Sequence, residues 1–171
     1  PASAWVTAPR SGTGGRNGLG DGLLAEHRHV HRCIDAVARD LVGELTRIAE
    51  FLLQAGSEAQ KKRFLPKLIS GEVKFSISMS EPDAGSDIGA MRTTARREGD
   101  EYVITGTKTW VTNGERAGLV ALAARTEEGI TCFMVEKEPG PRSGGITVSR
   151  NIGKLGYKGL ETVEMAYDGH R

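Results

Sequence analysis

The hydrophobic period of this chain changes once, near residue 73, and that change limits the fold more than any other feature. Upstream, Val30, Ile34, Val37, Leu41, Leu45, Ile48 and Leu52 recur every three or four residues, the spacing of one helical face. Downstream, Val73, Phe75, Ile77 and Met79 alternate with Lys74, Ser76, Ser78 and Ser80, the spacing of a strand. The chain is therefore read as α+β: a helical segment over residues 23–72, then a β-barrel-like domain over residues 73–171. Residues 1–22, with Gly12, Gly14, Gly15, Gly18, Gly20 and Gly22, bury too little apolar surface to order themselves and are read as a flexible leader.

Turn and cap residues divide both parts. Gly56 follows the last apolar residue of the long helix, as a C′ glycine does. Ser57 with Gln60 three residues on forms a capping pair, so a second, shorter helix begins there. Pro66 and Ser70-Gly71 are read as closing it. Beyond residue 73, strands are expected at Met91 to Arg97, Tyr102 to Ile104, Thr107 to Thr112, Leu119 to Arg125, Ile130 to Glu136, Ile146 to Asn151 and Thr162 to Tyr167. The punctuation between them is Glu98-Gly99-Asp100, Thr105-Gly106, Asn113-Gly114, Glu127-Glu128-Gly129 and Ser143-Gly144-Gly145. Short strands at such spacing indicate a barrel or sandwich.

Composition removes several classes of function. A formal net charge of +1 gives no electrostatic argument for nucleic acid or an anionic membrane. No apolar run approaches the roughly 20 residues that span a bilayer, and no signal peptide is evident after Pro1 to Val6. Cys33 and Cys132 lack metal-type spacing and are read as reduced, half-buried thiols of a cytosolic protein. His27, His29 and His31 are two apart, so on a helix they point to different faces and do not converge on a metal. Lys61-Lys62-Arg63 is too brief for a nucleic-acid patch and reads as solvated surface.

Two stretches carry potential chemistry. Ser80-Glu81-Pro82-Asp83-Ala84-Gly85-Ser86-Asp87 follows a strand. Its small residues allow close approach to the backbone, and Ser86 and Asp87 are placed to cap a turn whose free N–H groups meet an anion. Read locally, it is first an ordinary loop with a capping serine, a common pattern. Gly106-Thr107-Lys108-Thr109-Trp110-Val111-Thr112-Asn113-Gly114 follows, in which strand alternation places Lys108, Trp110 and Thr112 on one face. An indole beside a threonine hydroxyl suits a flat redox ring. Alone, the same residues describe a Trp covering a barrel end and an Asn-Gly turn closing a hairpin.

Taken in order with Ala55-Gly56-Ser57-Glu58-Ala59-Gln60-Lys61-Lys62-Arg63-Phe64-Leu65-Pro66-Lys67-Leu68 before them and Lys154-Leu155-Gly156-Tyr157-Lys158-Gly159-Leu160-Glu161-Thr162 after, these blocks make the chain resemble the acyl-CoA dehydrogenase family over about residues 45–171. The resemblance implies an FAD cofactor, an acyl-CoA substrate, an electron-transfer flavoprotein as acceptor and a homo-oligomer. It places the protein in a bacterial cytoplasm or the mitochondrial matrix. By the same resemblance, Ile77, Ser78, Met79 and Ser80 line the flavin ring, with the Ser80 hydroxyl at its polar edge where most members have Thr. Gly85 and Ser86 lie near the cofactor phosphates, and Ser86 also borders the acyl-CoA. Trp110, Val111 and Thr112 flank the ring, Thr112 being placed to bond the hydride-accepting nitrogen. Asp83 stands where Gly is frequent and adds a negative charge.

The family's fold has an N-terminal helical domain, a middle β-domain and a C-terminal helical domain that carries the catalytic glutamate. This chain stops at Asp168-Gly169-His170-Arg171, so the C-terminal helical domain is expected to be absent and no residue here takes the base role. Glu81 is read as structural and Asp87 as a cap, and no metal site is expected. The expected activity is α,β-dehydrogenation of an acyl thioester. Two alternatives stand beside it: an acyl-CoA oxidase, and a catalytically inactive binding or assembly module.

Overall fold

A computed structural model describes residues 4–6, 42–156 and 159–171, with the backbone alone at 4–6 and 42–47. The chain divides into two compact units, one formed by residues 7–73 and the other by residues 1–6 and 74–171.

In the first unit, helix α1 (Val42–Ala55) is followed by α2 (Glu58–Ile69). Ile48, Ala49, Leu52 and Leu53 are buried on α1, as are Phe64 and Leu68 on α2; Ala49 and Leu53 pack with Leu65 and Ile69. Val30, Ile34, Val37 and Leu41 of the expected helical stripe lie outside the described residues, as do the three histidines and Cys33. Ser57 starts α2 with a complete capping box: the Gln60 amide donates to the Ser57 hydroxyl at 3.3 Å, and the Ser57 amide donates to the Gln60 side chain at 2.8 Å. Pro66 does not end the helix as expected but lies inside it, on the exposed side, and the chain leaves α2 at Ser70 and the left-handed Gly71. Gly56 is not left-handed. What excludes a larger residue there is the Leu52 carbonyl, 2.5 Å from where a Cβ would sit.

The second unit is one curled sheet of nine strands among the described residues: β1 (Ala4–Val6), β2 (Phe75–Ser78), β3 (Thr94–Glu98), β4 (Glu101–Thr112), β5 (Leu119–Thr126), β6 (Gly129–Glu136), β7 (Arg142–Ser143), β8 (Ile146–Val148) and β9 (Thr162–His170). The order is β1-β6-β5-β3-β4-β9-β8-β7, with β2 added to β5 in parallel, Phe75 opposite Leu119 through Ser78 opposite Leu122. Three expected turns are tight hairpins. Gly99-Asp100 joins Glu98 to Glu101, Glu127-Glu128 joins Thr126 to Gly129, and Gly144-Gly145 joins Ser143 to Ile146.

Two expected breaks are absent. Thr105-Gly106 is not a turn, because β4 runs unbroken through it with Thr105 opposite Asp168 and Gly106 opposite Tyr167. Gly106 is there for packing: a Cβ would lie 2.4 Å from the Thr93 hydroxyl and 2.6 Å from its Cα, at φ +151°. Asn113-Gly114 closes no hairpin, since β4 pairs with β3 and β9 and not with β5. The core between these strands holds Ile104, Val111, Val120, Leu122, Phe133, Val135, Ile146, Val163, Met165 and Tyr167. Tyr102 meets Phe133 edge-on at 5.1 Å.

Candidate functional site

The end of β2 and the end of β4 meet, and that meeting joins the two chemically informative stretches. The Thr109 amide donates to the Ser80 carbonyl at 2.9 Å. The Ser76 hydroxyl donates to the Thr112 carbonyl at 2.6 Å. Between them the Lys108 ammonium reaches the Met79 carbonyl and the Glu81 carboxylate, each at 2.9 Å.

Strand alternation fails within this junction. On β9 the pairing moves from Met165 to Val163, two residues, while on β4 it moves from Lys108 to Val111, three residues. The extra residue makes a bulge. Lys108 therefore does not share a face with Trp110 as alternation predicts: Lys108 is 0% exposed and Trp110 is 61% exposed. Trp110 also has φ +59°. A bulky residue in the left-handed region costs on the order of 1–3 kcal/mol and is held there only by its surroundings.

The other expected ligand residues sort by burial. Met79 is partly exposed, Ile77, Ser80 and Thr112 are half-buried, and Gly85 and Ser86 are on the open loop, where a Cβ on Gly85 would touch nothing. Ser78 and Val111 are wholly buried, Ser78 accepting from the buried Tyr167 hydroxyl at 3.2 Å, so neither presents surface to a ligand in this structure. Ile88–Ala90 form one 3₁₀ turn. Asp87 occupies its cap position but makes no side-chain capping bond, contrary to expectation. Asp83 lies 3.5 Å from Arg92 at an exposed position, where a pair contributes little.

Glu81 is committed to structure. Its carboxylate accepts from the Arg92 amide at 2.6 Å, the Thr93 amide at 2.9 Å and Lys108. Burial alone would raise its pKa, but the bonds from the Arg92 amide, Lys108 and the Thr93 amide, with the Thr93 side chain nearby, outweigh it and bring the group to about 2. Burial lowers the Lys108 ammonium below the usual lysine range, against the bond it donates to Glu81. The carboxylate's donors decide the balance, and the pair is ionised at neutral pH. A carboxylate so occupied is a poor proton acceptor.

The loop leaving β4 is braced by buried polar groups that sequence reading missed. The Glu161 carboxylate accepts from the Glu115 amide at 2.6 Å, and its carbonyl accepts from the Asn113 amide at 3.1 Å. Lys137, buried, donates to the Glu115 and Ala117 carbonyls at 3.2 and 3.1 Å. A lysine ending an apolar strand was the available signal, but it reads equally as solvated surface. Cys132 is half-buried as expected, and burial pushes its thiol up to about 12, which leaves it unreactive. Among the described residues there is no cluster of metal ligands, and no helix is long and apolar enough to cross a membrane.

An exposed indole, a thioether, the Ser80 and Thr112 hydroxyls and an open Gly85-Ser86 loop together fit a flat, amphipathic ring with an anionic tail.

A family model described as "Acyl-CoA dehydrogenase, middle domain" matches residues 76–169. The chain is 40% identical to (2S)-methylsuccinyl-CoA dehydrogenase of Cereibacter sphaeroides over 134 residues, covering 72% of this chain and 24% of that protein. Glutaryl-CoA dehydrogenase from Mycobacterium smegmatis superposes with a TM-score of 0.71 at 34% identity, covering 84% of this chain and 38% of that one. A glutaryl-CoA dehydrogenase from the same organism in complex with FADH2 superposes with a TM-score of 0.66 at 35% identity, covering 72% and 31%. The chain thus spans well under half the length of the relatives it matches.

Proposed function

The chain belongs to the acyl-CoA dehydrogenase family, and from that we propose that its β-unit holds FAD against the joined ends of β2 and β4, in a protein that dehydrogenates an acyl-CoA between its α and β carbons. The observation that carries this is the Ser80–Thr109 junction, whose sequence neighbours Met79 and Trp110 are both exposed. The relative with bound FADH2 supports the choice of cofactor.

In this reading Trp110 covers a face of the flavin ring, and Ile77, Met79 and Ser80 line its edge, with the buried Ser78 and Val111 supporting them from behind. The Ser80 and Thr112 hydroxyls orient it. Gly85 and Ser86 meet the phosphates, and Ser86 also borders the thioester substrate. FAD, when bound, supplies the two-electron acceptor for the hydrogen leaving the β carbon. The α-proton needs a carboxylate base, and Glu81, whose oxygens are occupied by buried donors, does not fill that role. We assign the base to the family's C-terminal helical domain, electron transfer onward to a second flavoprotein, and assembly to a homo-oligomer.

The test is anaerobic visible spectroscopy of the whole protein, C-terminal helical domain included, with a panel of acyl-CoAs. A flavin band that bleaches with one acyl-CoA is the expected result. A flavin band indifferent to every acyl-CoA would contradict the dehydrogenation. Bleaching followed by rapid recovery in air would favour the oxidase alternative.

A further inference from the structure

We propose that Lys108 and Glu81 are positioning residues for Trp110: their buried contact fixes the bulge of β4 in the register that turns the indole outward. Trp110 has a left-handed backbone, which a bulky residue does not adopt unaided. The neighbouring groups must impose it. On the C-terminal side, Val111 is wholly buried and the Thr112 carbonyl is tied to Ser76. On the N-terminal side, Thr109 is tied through its amide to Ser80 and through its hydroxyl to Glu164 at 3.4 Å.

Lys108 completes the arrangement. Its side chain enters the interior with no exposed surface, and its ammonium spans from β4 to the Met79 carbonyl and to Glu81, with the Met91 sulfur 4.0 Å away. Glu81 is itself fastened to the Arg92 and Thr93 amides. One lysine thus links the bulge to the end of β2 and to the segment entering β3. Slipping β4 by one residue to remove the bulge would turn the ammonium toward solvent and leave the buried Glu81 charge without its counter-ion, held by two amides alone, an arrangement strongly disfavoured. The ion pair makes the outward indole the lower-energy register.

The effect on the indole stands by itself; the effect on flavin rests on the proposed function. A Trp5→Phe chain labelled with 5-fluorotryptophan reports Trp110 by one fluorine resonance, without any cofactor. Lys108→Met with Glu81→Leu replaces a buried ion pair by apolar side chains of similar size, a change that commonly preserves folding. Leu122→Ala, in the core of β5, serves as a control for lost stability. The double variant is expected to unfold cooperatively yet show a shifted or split Trp110 resonance, while Leu122→Ala keeps the parent position. In FAD titrations the double variant's Kd rises by about tenfold, the scale of one lost aromatic stack. A folded double variant with the parent resonance overturns the proposal. So does a resonance that moves equally in Leu122→Ala. A parent chain that binds no FAD counts against the proposed function instead, and the fluorine spectrum still decides the positioning role.

Discussion

At the scale of single residues, Glu81 holds the junction together through its buried carboxylate. Its folded pKa of about 2 lies below the 4.5 of a free glutamate, so it contributes stability that is present above pH 4.5 and is lost as pH falls through about 2. A shift of that size corresponds to at most about 3 kcal/mol, and the burial of Lys108, which disfavours the ammonium, offsets part of it. Glu81→Gln should therefore be less stable than the parent at pH 6, and the gap should close as both are unfolded in urea at successively lower pH down to 2. A gap that stays constant would mean the charge contributes nothing. The sequence carried part of this: a glutamate before proline at a strand end reads as structural. The partner was not legible, because Lys108 reads by alternation as a neighbour of Trp110. A bulge moves a side chain to the other face without changing the composition of the strand, so no periodicity reports it.

At the scale of elements, the same ambiguity explains Thr105-Gly106. Glycine after threonine signals a turn, yet it signals equally a strand position over which another chain segment passes. Here Thr93 occupies that space, and twelve residues form one strand. Gly106→Ala should cost about 2–4 kcal/mol, from overpacking on Thr93 together with an unfavourable φ. Gly99→Ala, at a hairpin position with φ +65° and no neighbour within 4 Å, isolates the backbone cost at about 1–2 kcal/mol. Chemical denaturation of the two variants checks the order, and equal losses would contradict the packing role. The Gly99-Asp100, Glu127-Glu128 and Gly144-Gly145 hairpins were legible because each joins two strands that pair directly. Asn113-Gly114 looks the same locally, but the strand after it pairs elsewhere. Gly114 is small because a Cβ would lie 2.6 Å from Val163.

At the scale of the whole molecule, the α+β class followed from one change of period, and the family from four blocks in order. The parallel addition of β2 to β5 left no mark in the sequence, since a short buried strand shows alternation whichever neighbour it pairs with. Yet that pairing brings Ser80 to Thr109 and gathers residues some thirty positions apart into one candidate site. The central claim is that this junction holds FAD under the Trp110 indole. Its most direct test is a titration of FAD into the Trp5→Phe chain, followed by the emission of Trp110, with Trp110→Ala compared by flavin fluorescence. The account predicts saturable quenching of the indole and affinity about tenfold weaker in Trp110→Ala. Saturable FAD binding that leaves the indole unquenched and is unaffected by Trp110→Ala would contradict it.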